Sequence, residues 1–465
     1  MARFDLDATP PVGSMMAYDR VVRHDELGLR CRGIVLLGAE QPIVLCAIDW
    51  IGVGNESQDV FKRVLAEAAG TTPERVAVHA LHQHDAPRCD FGAEQVLHEA
   101  GISDLGPHDA SFARSWLKKL KPAVAASLEQ TVPITHAGFG VANVEQVASN
   151  RRILNDQGVV RAVRYTTCTD PDLRAEPEGV VDPELSALSF WNDDQSVAVL
   201  TYYATHPQSY YRTGVPSSDF PGIARFLRGQ ELPTALHVHF TGAGGNIGAG
   251  KYNDGSKENR VLLAGRVAAA MKQAFDNTER FPLSAQDIGW TTQGVALPPA
   301  EHLDADALRQ QLSGPTPTNT IQASTRLAYL RRYERGEKIL LQCLRVGDVR
   351  ILHLPGELFV EYQLAAKAMR SDLHVAMAAY GDYGTAYIGT AEAYSQGGYE
   401  TSPRATCVDQ RAEPILMDAM AKLLEAAPPA QAAAARAPQT KTNTETNTNI
   451  NTKTTNAANH TETAE

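Results

Sequence analysis

Apolar runs of two different periods alternate along this chain, and that alternation constrains the fold more than any other feature. Runs rich in Val, Ile and Tyr, which read as strands, occupy residues 33–37, 42–48, 76–81, 197–203, 236–241 and 349–354. Runs with apolar residues at helical spacing occupy 57–69, 110–128, 258–275 and 323–335. A strand hides one face and a helix one stripe, so such a mixture buries its apolar surface by laying helices over sheets. The expected class is α/β, with layered mixed β-sheets flanked by helices. Stretches at 169–184, rich in Asp, Pro and Glu, and at 313–319 read as surface loops.

Composition excludes several classes of function. With 43% hydrophobic and 21% charged residues over 465 positions, most of the chain falls in the ordinary globular range. Lys plus Arg is 43 against 54 for Asp plus Glu, a formal charge of −11 with no basic block, which argues against a nucleic-acid partner. No run approaches the roughly 18 apolar residues of a membrane span, and the best, 42–48, is cut by Asp49. The opening Met1-Ala2-Arg3-Phe4-Asp5-Leu6-Asp7 lacks the apolar stretch of a secretory signal, so the expected location is cytoplasmic. The six cysteines form no Cys-x-x-Cys pair and read as reduced thiols, which leaves out cysteine-based zinc sites. From 427 to 465 the chain becomes a low-complexity tail of Ala, Thr and Asn with little to bury, expected to be disordered. Residues 1–426 are the expected catalytic domain. Nothing in the sequence sets the oligomeric state.

Four motifs are candidates for chemistry. The glycine-rich stretch from Thr241 to Tyr252 matches a phosphate loop over Gly245 to Lys251, yet Tyr252 stands where such a loop needs Ser or Thr. A backbone turn that lets something approach closely is the better reading. His79-Ala80-Leu81-His82-Gln83-His84 ends a strand run, and residues two apart share a strand face, so His82 and His84 are expected to project together. Thr205-His206-Pro207 follows another strand run, and Pro355-Gly356-Glu357 follows a third, with Glu357 opening a helix. Two or three imidazoles and a carboxylate at strand ends are the ligand set of an open catalytic zinc site.

A larger pattern gathers these motifs. His82-Gln83-His84 with Asp85-Ala86-Pro87, Asn150-Arg151, Ala204-Thr205-His206-Pro207 with Ser217-Ser218-Asp219, Pro355-Gly356-Glu357, and the run from Ala386 to Glu400 fall in the order seen in neutral ceramidases. From Asp7 to about Ala426 the chain resembles the neutral/alkaline ceramidase family. The last run is the most specific, since it sets Tyr387 and Tyr399 around Glu392, Tyr394 and Gln396. The resemblance implies a zinc amidase with Zn2+ held by His82, His206, Glu357 and Tyr387. It further implies His84, Arg151 and Tyr399 facing the scissile amide of a small-molecule N-acyl substrate, and the chemistry open to such a site adds Glu357 as the base that takes the proton of water.

The chain also departs from the family. Asp85-Ala86-Pro87 stands where Ser-Gly-Pro is common, and Gly245-Asn246-Ile247-Gly248-Ala249-Gly250 where Gly-Asp-Val-Ser-Pro-Asn is common. Neither a signal peptide nor a C-terminal immunoglobulin-like domain is read here. The rim of the pocket therefore differs, and the expected reaction is hydrolysis of a linear amide, either ceramide-like or a more soluble N-acyl amine. Ester hydrolysis, lyase chemistry and a non-catalytic binding role are the alternatives.

Overall fold

The computed structural model describes residues 1–312 and 317–427. The expected tail lies outside the described residues from 428 onward, as does the 313–319 loop up to 316. Every strand and helix run read from the sequence is present as that type; the largest difference is the helix Pro317–Glu334, which starts ahead of residue 323.

Three mixed sheets form the frame. The first has the order Ala2–Asp7, Arg30–Gly38, Glu40–Ile48, Val76–Ala80. The second runs Leu236–Thr241, Gln195–Tyr203, Glu184–Asn192, His136–Asn143, Glu279–Pro282, and the third Ile288–Val295, Ile339–Val346, Val349–His353, His374–Ala378. Each sheet is antiparallel except for one pair at its edge. Glu40–Ile48 runs parallel to Val76–Ala80, Gln195–Tyr203 to Leu236–Thr241, and Val349–His353 to His374–Ala378.

Strand alternation divides the apolar side chains between an inner core and an outer layer. Leu45, Ala77, Leu200, Phe240, Ile351 and Ala376 share one central cluster drawn from all three sheets. Their strand neighbours Cys46 and Val78 face the helices Glu56–Ala69 and Ser111–Ser127, while Val199 and Tyr203 face Asp219–Glu231 and Lys257–Asp276. Leu352 and Met377 face Pro317–Glu334, Val360–Met369 and Ala412–Leu423.

The parallel pairs meet at their carboxyl ends. Ala80 N donates to Tyr380 O at 3.0 Å and Ala379 N to Thr241 O at 2.9 Å, while the Thr241 hydroxyl donates to Leu81 O at 2.9 Å. Carboxyl ends of parallel strands are where open α/β sheets leave a crevice, and here three such ends face one another. Cys31 and Cys46 lie on adjacent strands with sulfurs 3.4 Å apart, and all six cysteines are buried free thiols. No described helix is long and apolar enough to cross a membrane.

Candidate metal centre at the strand ends

Past Ala80 the strand ends, and His82 takes a positive φ of 70° while its N–H donates to Trp50 O. The expected meeting of His82 and His84 is found, with Nε2 atoms 3.2 Å apart. A tight turn produces it, since left-handed backbone at His82 breaks the strand alternation on which the expectation rested. Ile51 O lies 2.8 Å from His82 Nδ1, and the His82 ring stacks on Tyr380 with centroids 4.7 Å apart. His206 follows the Gln195–Tyr203 strand, with Nδ1 2.6 Å from Gly244 O.

The glycine stretch approaches the chain's own backbone. A Cβ on Gly244 would meet the carbonyl carbon of Thr205 at 2.8 Å, and one on Gly245 would meet Glu357 O at 2.3 Å. Gly245 N donates to Leu358 O at 2.7 Å, and His206 N to Ile247 O at 3.1 Å. The loop thus lies between the segments that carry His206 and Glu357 and sets their spacing. Glu357 does not open a helix: it begins the two-residue strand Glu357–Leu358, which pairs with Tyr387–Ile388 so that Glu357 and Tyr387 are register partners. The helix starts at Val360. Gly356 makes this possible with φ 60°, because a Cβ there would meet Thr385 Oγ1 at 2.3 Å and Ala386 O at 2.6 Å.

These segments bring the polar atoms together. Glu357 Oε2 lies 3.3 Å from His82 Nε2 and 3.1 Å from His206 Nε2, and the Tyr387 hydroxyl lies 3.2 Å from His206 Nε2. His82, His206 and Glu357 are each at most 2% exposed. Each Nδ1 faces a carbonyl, which can only accept, so Nδ1 carries the proton and Nε2 the lone pair. Burial pushes the His82 imidazole down to about 4. The Glu357 carboxylate Oε2 is buried, has no hydrogen-bond donor and faces two nitrogen lone pairs. Acceptors packed against acceptors need a cation among them, and imidazole fixed through Nδ1 by a carbonyl is the usual arrangement of a metal-binding histidine. His82, His84 and His206 alone offer three nitrogens within 4.8 Å of one another, so His84 stands as close to the centre as the ligands the resemblance implies.

Arg151 is buried rather than superficial. It donates through Nη1 to the Tyr387 hydroxyl at 3.1 Å, and its Nε pairs with Glu400 at 3.2 Å. Tyr399 is half-buried, its ring 5.8 Å from those of Tyr387 and Arg151's guanidinium carbon, and burial raises its hydroxyl. His84 is half-buried between Tyr211 at 4.9 Å and Tyr18 at 5.6 Å, and its Nδ1 has no partner.

Sequence reasoning gave no role to four residues here. Tyr383 donates to Glu357 Oε1 at 2.9 Å, Tyr380 backs His82, Glu400 joins Arg151 to Arg152, and Asp85 accepts from Arg212 N and the Thr213 hydroxyl. Asp85 thereby holds the loop that carries Tyr211 beside His84. That Asp85 occupies a position where the chain departs from the ceramidase pattern was the one available signal.

No protein-family model matches the chain, and no curated protein matches it. Among solved structures the chain is similar to the crystal structure of neutral ceramidase from Pseudomonas aeruginosa. The TM-score is 0.62 at 17% identity, covering 94% of this chain and 76% of that one. A ceramidase complexed with C2 gives a TM-score of 0.62 at 16% identity, covering 94% and 77%. The chain has a neutral ceramidase-like fold.

Proposed function

We propose that this protein is a metal-dependent amidohydrolase that cleaves the linear amide bond of an N-acyl compound. The observation that carries this reading is the buried Glu357 Oε2, set without a donor against the lone pairs of His82 and His206. His82, His206, Glu357 and Tyr387 would hold the ion. Imidazole with carboxylate suits zinc, and a phenol completes the set. When bound, zinc supplies a Lewis acid that polarises a carbonyl and lowers the pKa of water toward about 7.

The chain's own residues do the rest. Glu357 takes the proton of the attacking water, while Tyr383 holds Oε1 in place. Arg151, fixed by Glu400, and Tyr399 stabilise the oxyanion of the tetrahedral intermediate, where positioned donors contribute most. His84 gives a proton to the departing amine, as a poised imidazole can. The neutral ceramidase-like fold supports the reaction class.

Metal analysis of the purified protein, coupled to hydrolysis of a fluorogenic N-acyl panel that includes ceramide, tests the reading. About one zinc per chain and cleavage abolished by chelation are expected. Bound metal with no amide turned over would move the function to ester hydrolysis or lyase chemistry.

A further inference from the structure

Arg88 brings a positive charge to the site, and among the described residues no acid pairs with it. It lies in the short strand Arg88–Cys89, paired to Gly52–Val53 and next to Ile51, whose carbonyl fixes His82. The guanidinium carbon stands 5.5 Å from the centroid of the Tyr383 ring, the phenol that holds Glu357. The Tyr383 ring lies 5.4 Å from that of His82, and His82 4.9 Å from His84, so Arg88 flanks that side of the cluster.

Arg88 is half-buried, whereas fully buried arginines of the molecule are paired. Arg225 meets Asp49, Arg332 meets Asp382, and Arg151 and Arg152 share Glu400. Among the described residues Arg88 makes no hydrogen bond or ion pair, and its Nε is buried without a partner. An aromatic ring beneath a guanidinium offsets part of its desolvation but accepts none of its five donors. A buried charged donor left unmade is costly, and a site that keeps one is built for an acceptor that arrives from outside. The planar fork of arginine matches a carboxylate.

We propose that Arg88 is a specificity-determining residue that receives a carboxylate on the amine side of the substrate, so that the preferred amides are N-acyl amino acids. The proposal rests on the amidohydrolase reading. The amine side follows from the division of the cluster. Arg88 stands over Tyr383, whose ring adjoins that of His82, and His82 in turn adjoins His84, the proton donor to the amine. Arg151 stands with His206, Tyr387 and Tyr399. In the reaction water adds across the acyl–nitrogen bond: its oxygen goes to the acyl carbon, a proton to the nitrogen, and a fatty acid and a free amino acid leave.

N-lauroylglycine and N-lauroylethanolamine share an acyl chain and differ in the carboxylate, which makes them the test pair. The ratio of their kcat/KM values is measured on zinc-loaded wild type, Arg88→Met and Arg88→Lys, with melting curves to show that each variant is folded. Wild type is expected to prefer the glycine conjugate. Arg88→Met is expected to lower that ratio about 30-fold, the loss typical of a charged hydrogen-bonded pair, with Arg88→Lys between the two. Calorimetric titration of both ligands into the metal-free protein gives a readout apart from turnover, with the same loss of preference expected in Arg88→Met. Equal wild-type rates on the two amides, or a ratio that Arg88→Met does not move, overturns the proposal and leaves the amidase reading standing. If no amide is cleaved at all the amidase reading falls, and equal binding of the two ligands in the titration then overturns the role of Arg88 as well.

Discussion

Two buried histidines lie three residues apart on one stretch of chain, each set against a second histidine, and only one of the two pairs makes a site. His79 Nδ1 faces Ala379 O at 2.7 Å, and its Nε2 lies 2.9 Å from His353 Nδ1. The carbonyl fixes the His79 proton on Nδ1, so His353 must donate to Nε2, and the contact is a satisfied donor–acceptor pair. His82 is fixed in the same way by Ile51 O, yet its Nε2 looks onto a carboxylate and a second lone pair. Burial and imidazole content are common to both pairs. What differs is the atom set opposite Nε2, and that difference separates a packing element from a metal centre.

The sharpest way to break the comparison is to remove an acceptor from the cluster. Glu357→Ala or His206→Ala should abolish metal retention and lower kcat/KM by more than about a thousandfold, whereas His353→Leu should leave metal content intact. Metal analysis and N-acyl hydrolysis on the same preparations decide this; a fully metallated Glu357→Ala would sink the assignment. Next in size, His84→Gln should lower kcat about a hundredfold, the ordinary contribution of a proton donor. The metal content of that variant settles a further point: retained zinc makes His84 a proton donor, and lost zinc makes it a ligand.

The other pair answers to pH. Burial pushes His79 down to about 3 from an unfolded value near 6.5, so in that window the unfolded chain binds the proton first. Stability is therefore complete above about 6.5 and is lost as pH falls toward 3, with about 2 kcal/mol gone at pH 5 from His79 alone. Urea midpoints at pH 7 and pH 5 should separate less in His79→Leu/His353→Leu than in the wild type. An unchanged separation would show that the pair carries no proton linkage.

The legible parts of this molecule are those whose signal is local. Strand runs that end in histidine, and a Pro-Gly-acid turn, announced His82, His84, His206 and Glu357 as ligand candidates, although two local expectations about them were mistaken: the turn at His82 replaces strand alternation, and Glu357 precedes its helix. The strand Glu184–Asn192 escaped notice because Ser186 and Ser189 sit at buried positions and blur its apolar pattern, with the Ser189 hydroxyl donating to Gly138 O. Tyr387 and Arg151 were visible only through family resemblance. The contacts of Arg151 with Tyr387 and Glu400 join segments far apart in sequence, and no periodicity encodes them. Arg88 and Tyr383 were invisible for the same reason.

Tyr383 offers the smallest of these effects. Its hydroxyl donates to Glu357 Oε1 at 2.9 Å and leaves Oε2 directed at the two imidazoles. The ring packs so closely on Gly52 that a Cβ there would meet Tyr383 Cδ1 at 2.4 Å, which fixes the phenol in place. Tyr383→Phe keeps the ring and removes only the donor, so folding should be preserved. Partners that orient a ligating carboxylate typically contribute ten- to a hundredfold in metal affinity, and about tenfold is expected here because one hydrogen bond, from an uncharged donor, is lost. Competition for zinc against a chelator of known affinity measures it directly. An unaltered affinity would mean that backbone pairing of Glu357 with Tyr387 orients the carboxylate by itself, and Gly356→Ala, which strains that pairing at φ 60°, would then be the variant that loosens the ion.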